Sequence, residues 1–252
     1  MLAKRDNDSG ASERPTDQPT HGGGEVTGAL NSGSPPRPLL GTRLGMFGGS
    51  FDPIHMGHLH VARVACEAFD LDHVLFVPAR RPPHKPGRVL APDADRLAMV
   101  QLAIAGDRRW GVSSMELERE GPSFTIDTLK SLPSAVYGRP QIEGLALHLI
   151  LGSDNLVDFP NWHRADEILA VAQPIIVLRE EDPIPEPAWF EALDPGVRAR
   201  IEAGILRIPP APGRSTDLRR AIQQGALLDE WLPDGVGEYI RAHALYTCDA
   251  PL

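Results

Sequence analysis

The stretch Leu44-Gly45-Met46-Phe47-Gly48-Gly49-Ser50-Phe51-Asp52-Pro53-Ile54-His55-Met56-Gly57-His58-Leu59 constrains the fold more than any other part of the chain. Leu44, Met46 and Phe47 are apolar and run directly into Gly48-Gly49, as a short buried strand does when it ends in a turn. Beyond the turn, Leu59, Ala62, Ala65, Cys66 and Phe69 recur at the spacing of a helix face. Strand, glycine-rich turn and helix, in that order, make the first βα unit of a parallel sheet. Gly48, Gly49 and Gly57 let backbone come close to a ligand, and the first N–H groups of a helix have no partner within it, so this turn suits a phosphate. His55 in the turn and His58 in the first helical turn can both reach one phosphoryl group lying over the helix end, where partial positive charge favours an anion.

A metal cluster is the rival reading of His55, His58 and His60. It needs Cys, Asp or Glu at ligand spacing, and at that spacing the following helix offers only Glu67, two turns on, since Cys66 falls on its buried face. His60 reads as a surface or satisfied core histidine.

The rest of the chain alternates. Val74-Leu75-Phe76-Val77 is a continuous apolar run ending in Pro78, as in a strand covered on both faces. The loop Pro78-Ala79-Arg80-Arg81-Pro82-Pro83-His84-Lys85 follows at its carboxyl end, the edge where open α/β sheets bind ligands. Lys85 there is either a mobile charge for phosphate or part of a solvated basic loop. Residues 93–105 read as a helix, with Asp93 or Asp95 near its start, and residues 110–113 with 115–117 read as a short strand. Next comes a helix capped by Ser123 or Thr125, which puts Thr125 at a second ligand-side helix start.

Residues 145–151 form another apolar strand, breaking at Gly152-Ser153-Asp154 where a doubly wound sheet places a sugar-binding carboxylate, so Asp154 is a candidate for a ribose hydroxyl. Trp162, in Phe159-Pro160-Asn161-Trp162-His163, is either core or a flat face for a ring ligand. A helix at 165–170, strands at 174–178 and 205–208 and a weakly patterned helical stretch at 188–203 come next. Gly213-Arg214-Ser215-Thr216-Asp217-Leu218-Arg219 then enters a helix capped by Ser215 or Thr216, with Arg219 one turn in, and a helix at 235–245 closes the chain. Alternation without an internal repeat predicts a Rossmann-like α/β/α layer fold with a mostly parallel sheet and its site along one edge.

The net charge of −9 argues against broad nucleic-acid binding. Basic residues gather in two small clusters instead, Arg80-Arg81 with His84-Lys85 and Arg88, and Arg214 with Arg219-Arg220, which suits small phosphorylated substrates. Cys66 and Cys248 are too few for a disulfide framework and fit a reducing cytoplasm. No apolar run is long enough to span a bilayer. Residues 1–42 are rich in Gly, Ser and Pro with almost no apolar periodicity, so they are expected to be a disordered N-terminal extension before a folded domain at 43–252. Removing residues 1–40 should leave activity and melting temperature unchanged; a lower melting temperature would mean that the extension joins the core.

The run Gly49-Ser50-Phe51-Asp52-Pro53-Ile54-His55-Met56-Gly57-His58 resembles the signature of the HxGH nucleotidylyltransferases. Ser215-Thr216-Asp217-Leu218-Arg219 resembles their carboxyl-terminal S-T-x-I/L-R motif, with Gly213-Arg214 where that family usually has Ile-Ser. Residues 78–85, 123–129, 151–154, Trp162 and 236–240 further resemble the bacterial nicotinate-nucleotide adenylyltransferases within that superfamily, over about residues 43–246.

The resemblance implies transfer of AMP from Mg-ATP to nicotinate mononucleotide, giving nicotinate adenine dinucleotide and pyrophosphate, with Mg²⁺ accompanying the nucleotide. It implies that His55 and His58 stabilise the α-phosphoryl group and that Gly48, Gly49, Ser50, Phe51 and Gly152 also bind ATP. Asp154 would hold the ATP ribose, and Ser215, Thr216 and Arg219 the β- and γ-phosphates. Trp162 would stack on the pyridine ring, Thr125 and neighbouring amides would surround its carboxylate, and Lys85 would serve the same substrate. An HxGH transferase using pantetheine phosphate or a polyol phosphate is the near alternative, against which Trp162 and the Lys85 loop speak. A nucleotide-binding sensor without turnover would be expected to lack His58 or Arg219, and both are present.

Overall fold

The computed structural model describes residues 42–80, 90–180, 182, 185–209, 213–226 and 229–247. The predicted N-terminal extension up to residue 41, and Lys85 with the loop around it, lie outside the described residues. Six strands, β1 (Arg43–Gly49), β2 (His73–Pro78), β3 (Trp110–Val112), β4 (Ala146–Gly152), β5 (Ala172–Arg179) and β6 (Ile205–Ile208), form one sheet. Every pairing is parallel, in the order β3-β2-β1-β4-β5-β6. The order reverses between β1 and β4, and a crevice opens there at the carboxyl ends of the strands.

Nine α-helices are described: α1 (Met56–Ala68), α2 (Asp93–Ile104), α3 (Met115–Glu118), α4 (Thr125–Tyr137), α5 (Ala165–Val171), α6 (Pro187–Glu191), α7 (Pro195–Ala203), α8 (Ser215–Gln223) and α9 (Val236–Ala242). Strand residues alternate between two apolar layers, as the two-residue period of a strand requires. Phe47, Val74, Phe76, Ile150, Ile175 and Val177 pack under α1, α2, α8 and α9. Met46, Leu75, Val77, Leu149, Leu151 and Ile176 pack under α4, α5 and α7. Both faces are covered, which is why the strands read as unbroken apolar runs and why the chain adopts the predicted Rossmann-like α/β/α layers.

Four local expectations change. Residues 115–117 belong to α3 rather than a strand: the ladder ends where the Ser113 N–H meets the Phe76 carbonyl, and the N–H groups of Leu117 and Glu118 then turn back to Ser114. The turn places Glu116 in a buried position, where the Thr128 hydroxyl donates to its carboxyl at 2.6 Å and offsets part of the desolvation. Neither Ser123 nor Thr125 caps α4: Phe124 is its N-cap residue, Thr125 its first helical residue, and Ser123 bonds inward to Glu116. Ser215 and Thr216 likewise sit inside α8 and leave its cap to the Arg214 backbone. The stretch 188–203 is two helices, because Asp194 accepts from the Gly196 and Val197 N–H groups and Pro195 opens α7.

Candidate active site

The crevice between β1 and β4 holds a cavity of about 300 Å³, lined by Gly48 and Gly49 at the end of β1, by Ser50 just beyond it and by His55, Gly57 and His58 from the head of α1. Gly152, Ser153 and Asp154 close it from β4, Arg179 and Asp182 from the end of β5, and Arg214, Ser215 and Thr216 from the head of α8.

The two histidines form a stacked pair with ring centroids 3.8 Å apart and planes 31° from parallel. His58 Nδ1 accepts the His55 backbone N–H at 3.2 Å, which leaves a neutral His58 ring with its proton on Nε2 as a donor. Phe51 lies beneath, its ring 5.1 Å from that of His58 and its side chain buried in the core. Phe51 therefore supports His58 from below, and its ring is not on the cavity wall. The His55 ring is buried, and burial first, then His58, then Arg179, holds its pKa well below the usual histidine range. It is a neutral hydrogen-bonding group at physiological pH.

That shift has a sign for stability. The unfolded chain takes up the His55 proton near pH 6.5, at about the ordinary histidine pKa, whereas the folded chain does not. The contribution is complete above that pH and is lost as pH falls below it. His148 acts in the same direction, its pKa lowered by burial and then by Arg43. Melting temperature should drop between neutral pH and about pH 5, and His55→Gln should flatten the drop; a slope unchanged by the substitution would show that other groups govern it.

The carboxyl-terminal motif closes on the first. Ser215 Oγ donates to the Pro53 carbonyl at 3.0 Å, and Arg219 Nη1 donates to the Asp52 carbonyl at 2.6 Å. The same Nη1 lies 3.5 Å from the buried Asp52 carboxylate, and Nη2 donates to Thr216 Oγ1 at 3.3 Å. Thr216 and Ser215 face the cavity, whereas Arg219 sits one layer behind, tying α8 to the histidine turn. Gly213, where the resemblance would put Ile, has φ +94°, a conformation that residues with a side chain rarely adopt, and a Cβ there would meet the His55 ring at an ordinary contact distance of 3.4 Å. The departure from the motif is thus matched to the backbone conformation at Gly213.

Asp154 stands on a 3₁₀ turn, Ser153–Asn155, its Oδ1 accepting from Asn155 Nδ2 at 2.9 Å. A side chain at Gly152 would press on that carboxylate at 2.9 Å. Trp162 and Thr125 are not on the wall of this cavity. Trp162 is half-buried, 5.4 Å from the Phe159 ring, and the next residue, His163, lies 4.3 Å from Phe124, the residue before Thr125. The two expected acceptor groups are thereby on adjoining segments beside α4.

Two charged cavity residues were not singled out from sequence. Arg179 is the last residue of β5, and Asp182 accepts from Ser153 Oγ and, at 3.1 Å, from the Arg179 backbone N–H, with Arg214 Nη2 3.6 Å away. The signal for Arg179 was available: it is the first charge after an apolar strand at the ligand edge, the rule that picked out Asp154.

A family model described as cytidylyltransferase-like matches residues 46–221, which places the chain among the cytidylyltransferase-like proteins. The "Probable nicotinate-nucleotide adenylyltransferase" of Synechococcus sp. (strain JA-3-3Ab) is 40% identical over 213 residues, covering 84% of this chain and 98% of that protein. The protein of the same name from Roseiflexus sp. (strain RS-1) is 41% identical over 204 residues, covering 81% and 97%. Within that class, the chain belongs to the nicotinate-nucleotide adenylyltransferase family. Its fold is also that of a solved structure, "Plasmodium falciparum nicotinic acid mononucleotide adenylyltransferase complexed with NaAD", with a TM-score of 0.60 at 18% identity over 81% of this chain and 97% of that one.

Proposed function

We infer that the chain transfers AMP from ATP to nicotinate mononucleotide. The observation that carries this reading is the suture of the two motifs, Ser215 on Pro53 and Arg219 on Asp52, which sets a second helix N-terminus against the paired histidines in one cavity. One anion can lie over α1 and the next over α8, an arrangement that suits an α-phosphoryl group and the pyrophosphate that leaves it.

A 5′-phosphate oxygen of nicotinate mononucleotide attacks the α-phosphorus. A new P–O bond forms there, the bond to the β-phosphate oxygen breaks, and pyrophosphate departs with the electron pair. Phosphate is an adequate nucleophile, so no covalent enzyme intermediate is needed and the protein's work is alignment and charge stabilisation. His58 Nε2–H and His55 offer hydrogen bonds to the α-phosphoryl oxygens. Arg179, Arg214 and the head of α8 face the leaving group, and Asp154 takes the ribose. Trp162 and Thr125 receive the pyridine ring and its carboxylate.

Magnesium fits as an ion carried by the phosphates. Among the described residues no group of three or more His, Cys, Asp or Glu could hold a metal, and of the two cavity carboxylates Asp182 is already engaged by Ser153. Such an ion would neutralise phosphate charge. Among the described residues no helix is long and apolar enough to cross a membrane.

Pyrophosphate release from ATP, measured with a panel of phosphorylated acceptors, tests the reading: nicotinate mononucleotide should be strongly preferred, and preference for pantetheine phosphate or a polyol phosphate would overturn it. Arg219→Ala should slow turnover and raise the KM for ATP. It should also lower the melting temperature, because the buried Asp52 carboxylate loses a cationic partner. An effect confined to the acceptor's KM would remove Arg219 from the ATP side.

A further inference from the structure

We propose that Arg96, on α2, is a positioning residue for the phosphate-binding turn, acting through the main-chain carbonyl of Ser50. The inference rests on the adenylyltransferase reading and adds a residue to its machinery. Arg96 is fully buried, and its helix lies behind the cavity rather than on its wall. A buried guanidinium persists only where its donors are satisfied, and the partners here are informative. Nη1 donates to Ser50 O and to Ala79 O, each at 2.8 Å. Nε donates to Ala91 O at 3.1 Å, and Nη2 pairs with Asp93. Three carbonyls from three segments therefore meet on one rigid fork: the glycine-rich turn, the chain leaving β2, and the chain entering α2.

The network closes on the catalytic turn a second time. The Ala91 N–H donates to Asp52 Oδ1 at 3.1 Å, and Tyr246 Oη donates to the same oxygen at 2.9 Å. Ala91 thus hands its carbonyl to Arg96 and its N–H to Asp52, so Ser50, Arg96, Ala91 and Asp52 form a loop of hydrogen bonds around the turn. Phe51, enclosed by that loop, has φ +44°, a conformation that a bulky residue adopts only when its surroundings hold it there. The peptide plane joining Ser50 to Phe51 is rigid, so holding the Ser50 oxygen on Arg96 also turns the Phe51 N–H away from Arg96. Arg96 in this way sets the direction of the Phe51 amide within the turn that precedes the paired histidines.

Steady-state kinetics and melting temperature of the wild type, Arg96→Lys, Arg96→Met and Asp93→Asn test this. Lysine keeps the charge but cannot fork between three carbonyls. Arg96→Lys should therefore fold and lose about tenfold to a hundredfold in kcat, with the KM values for both substrates little changed. Asp93→Asn leaves the three carbonyl bonds in place and should stay within about twofold of wild-type kcat. Arg96→Met should lose at least as much kcat as the lysine variant; if it does not fold, the lysine and Asp93 variants decide. A folded Arg96→Lys with wild-type kcat would overturn the proposal, as would failure of that variant to fold or a loss in Asp93→Asn as large as in Arg96→Lys. A wild-type protein inactive with every acceptor would instead sink the adenylyltransferase reading, a separate result.

Discussion

His58→Ala should retain ATP binding and lose about a hundredfold to a thousandfold in turnover, as removal of one preorganised donor to developing charge does. That is about 3–4 kcal/mol of transition-state stabilisation. The geometry explains why the loss falls on rate. The ring is clamped by the His55 N–H on Nδ1 and seated on Phe51, so its Nε2–H is aimed before substrate arrives. Negative charge on the α-phosphoryl oxygens grows as the fifth ligand approaches, and the bond strengthens most there. The Ala variant also loses the acceptor for the His55 N–H, so a companion is needed. His58→Asn can place its Oδ1 near the old Nδ1 position without restoring a donor at Nε2. It should recover thermal stability lost in the Ala variant and remain slow. Near-normal turnover in the alanine variant would remove His58 from the chemistry; recovery of rate by asparagine would reduce it to a capping residue.

The first βα unit was legible because each of its signals is local: apolar β1, glycines at the turn, and a helix period after it. The strands at β2, β4 and β5 were legible for the same reason, since a parallel strand covered on both faces has to be apolar throughout. Hydroxyl residues before helices misled. Ser123, Thr125, Ser215 and Thr216 all read as caps, yet the buried Glu116 carboxylate claims Ser123 and the Pro53 carbonyl, 162 residues away in sequence, claims Ser215. A local rule cannot see an acceptor that arrives through tertiary folding. Phe51 was read as a nucleotide contact because it lies in the motif; its positive φ and the surrounding rings turn its side chain into the core. Arg219 was expected at the phosphates; it bonds to the Asp52 carbonyl off the cavity wall, while Arg179 and Arg214 reach that wall. Arg96 carried no signal at all, since a charged residue in an amphipathic helix reads as exposed until its three carbonyl partners are known.

Wild-type enzyme should use nicotinate mononucleotide with a specificity constant about ten thousandfold above that for nicotinamide mononucleotide, the scale expected when a closed polar site rejects a substrate that leaves its groups unpaired. Trp162 cannot be the source. Both rings present the same aromatic face, so stacking favours them equally. Discrimination has to come from what surrounds the ring substituent. α4 begins at Thr125, with Phe124 extended before it, and the first N–H groups of a thirteen-residue helix point outward with partial positive charge. A carboxylate accepts from them through both oxygens. An amide offers one oxygen and sets its NH₂ against donors, which leaves both sides without partners. The contact of Phe124 with His163 ties this helix start to the segment that carries Trp162, so ring and carboxylate can be held together. Trp162→Ala should therefore weaken both acceptors and leave their ratio near its wild-type value. Specificity constants for each acceptor in both proteins test the two halves separately: comparable wild-type constants would remove the carboxylate site at α4, and a collapsed ratio in the variant would show that Trp162 orients the substituent as well as covering the ring.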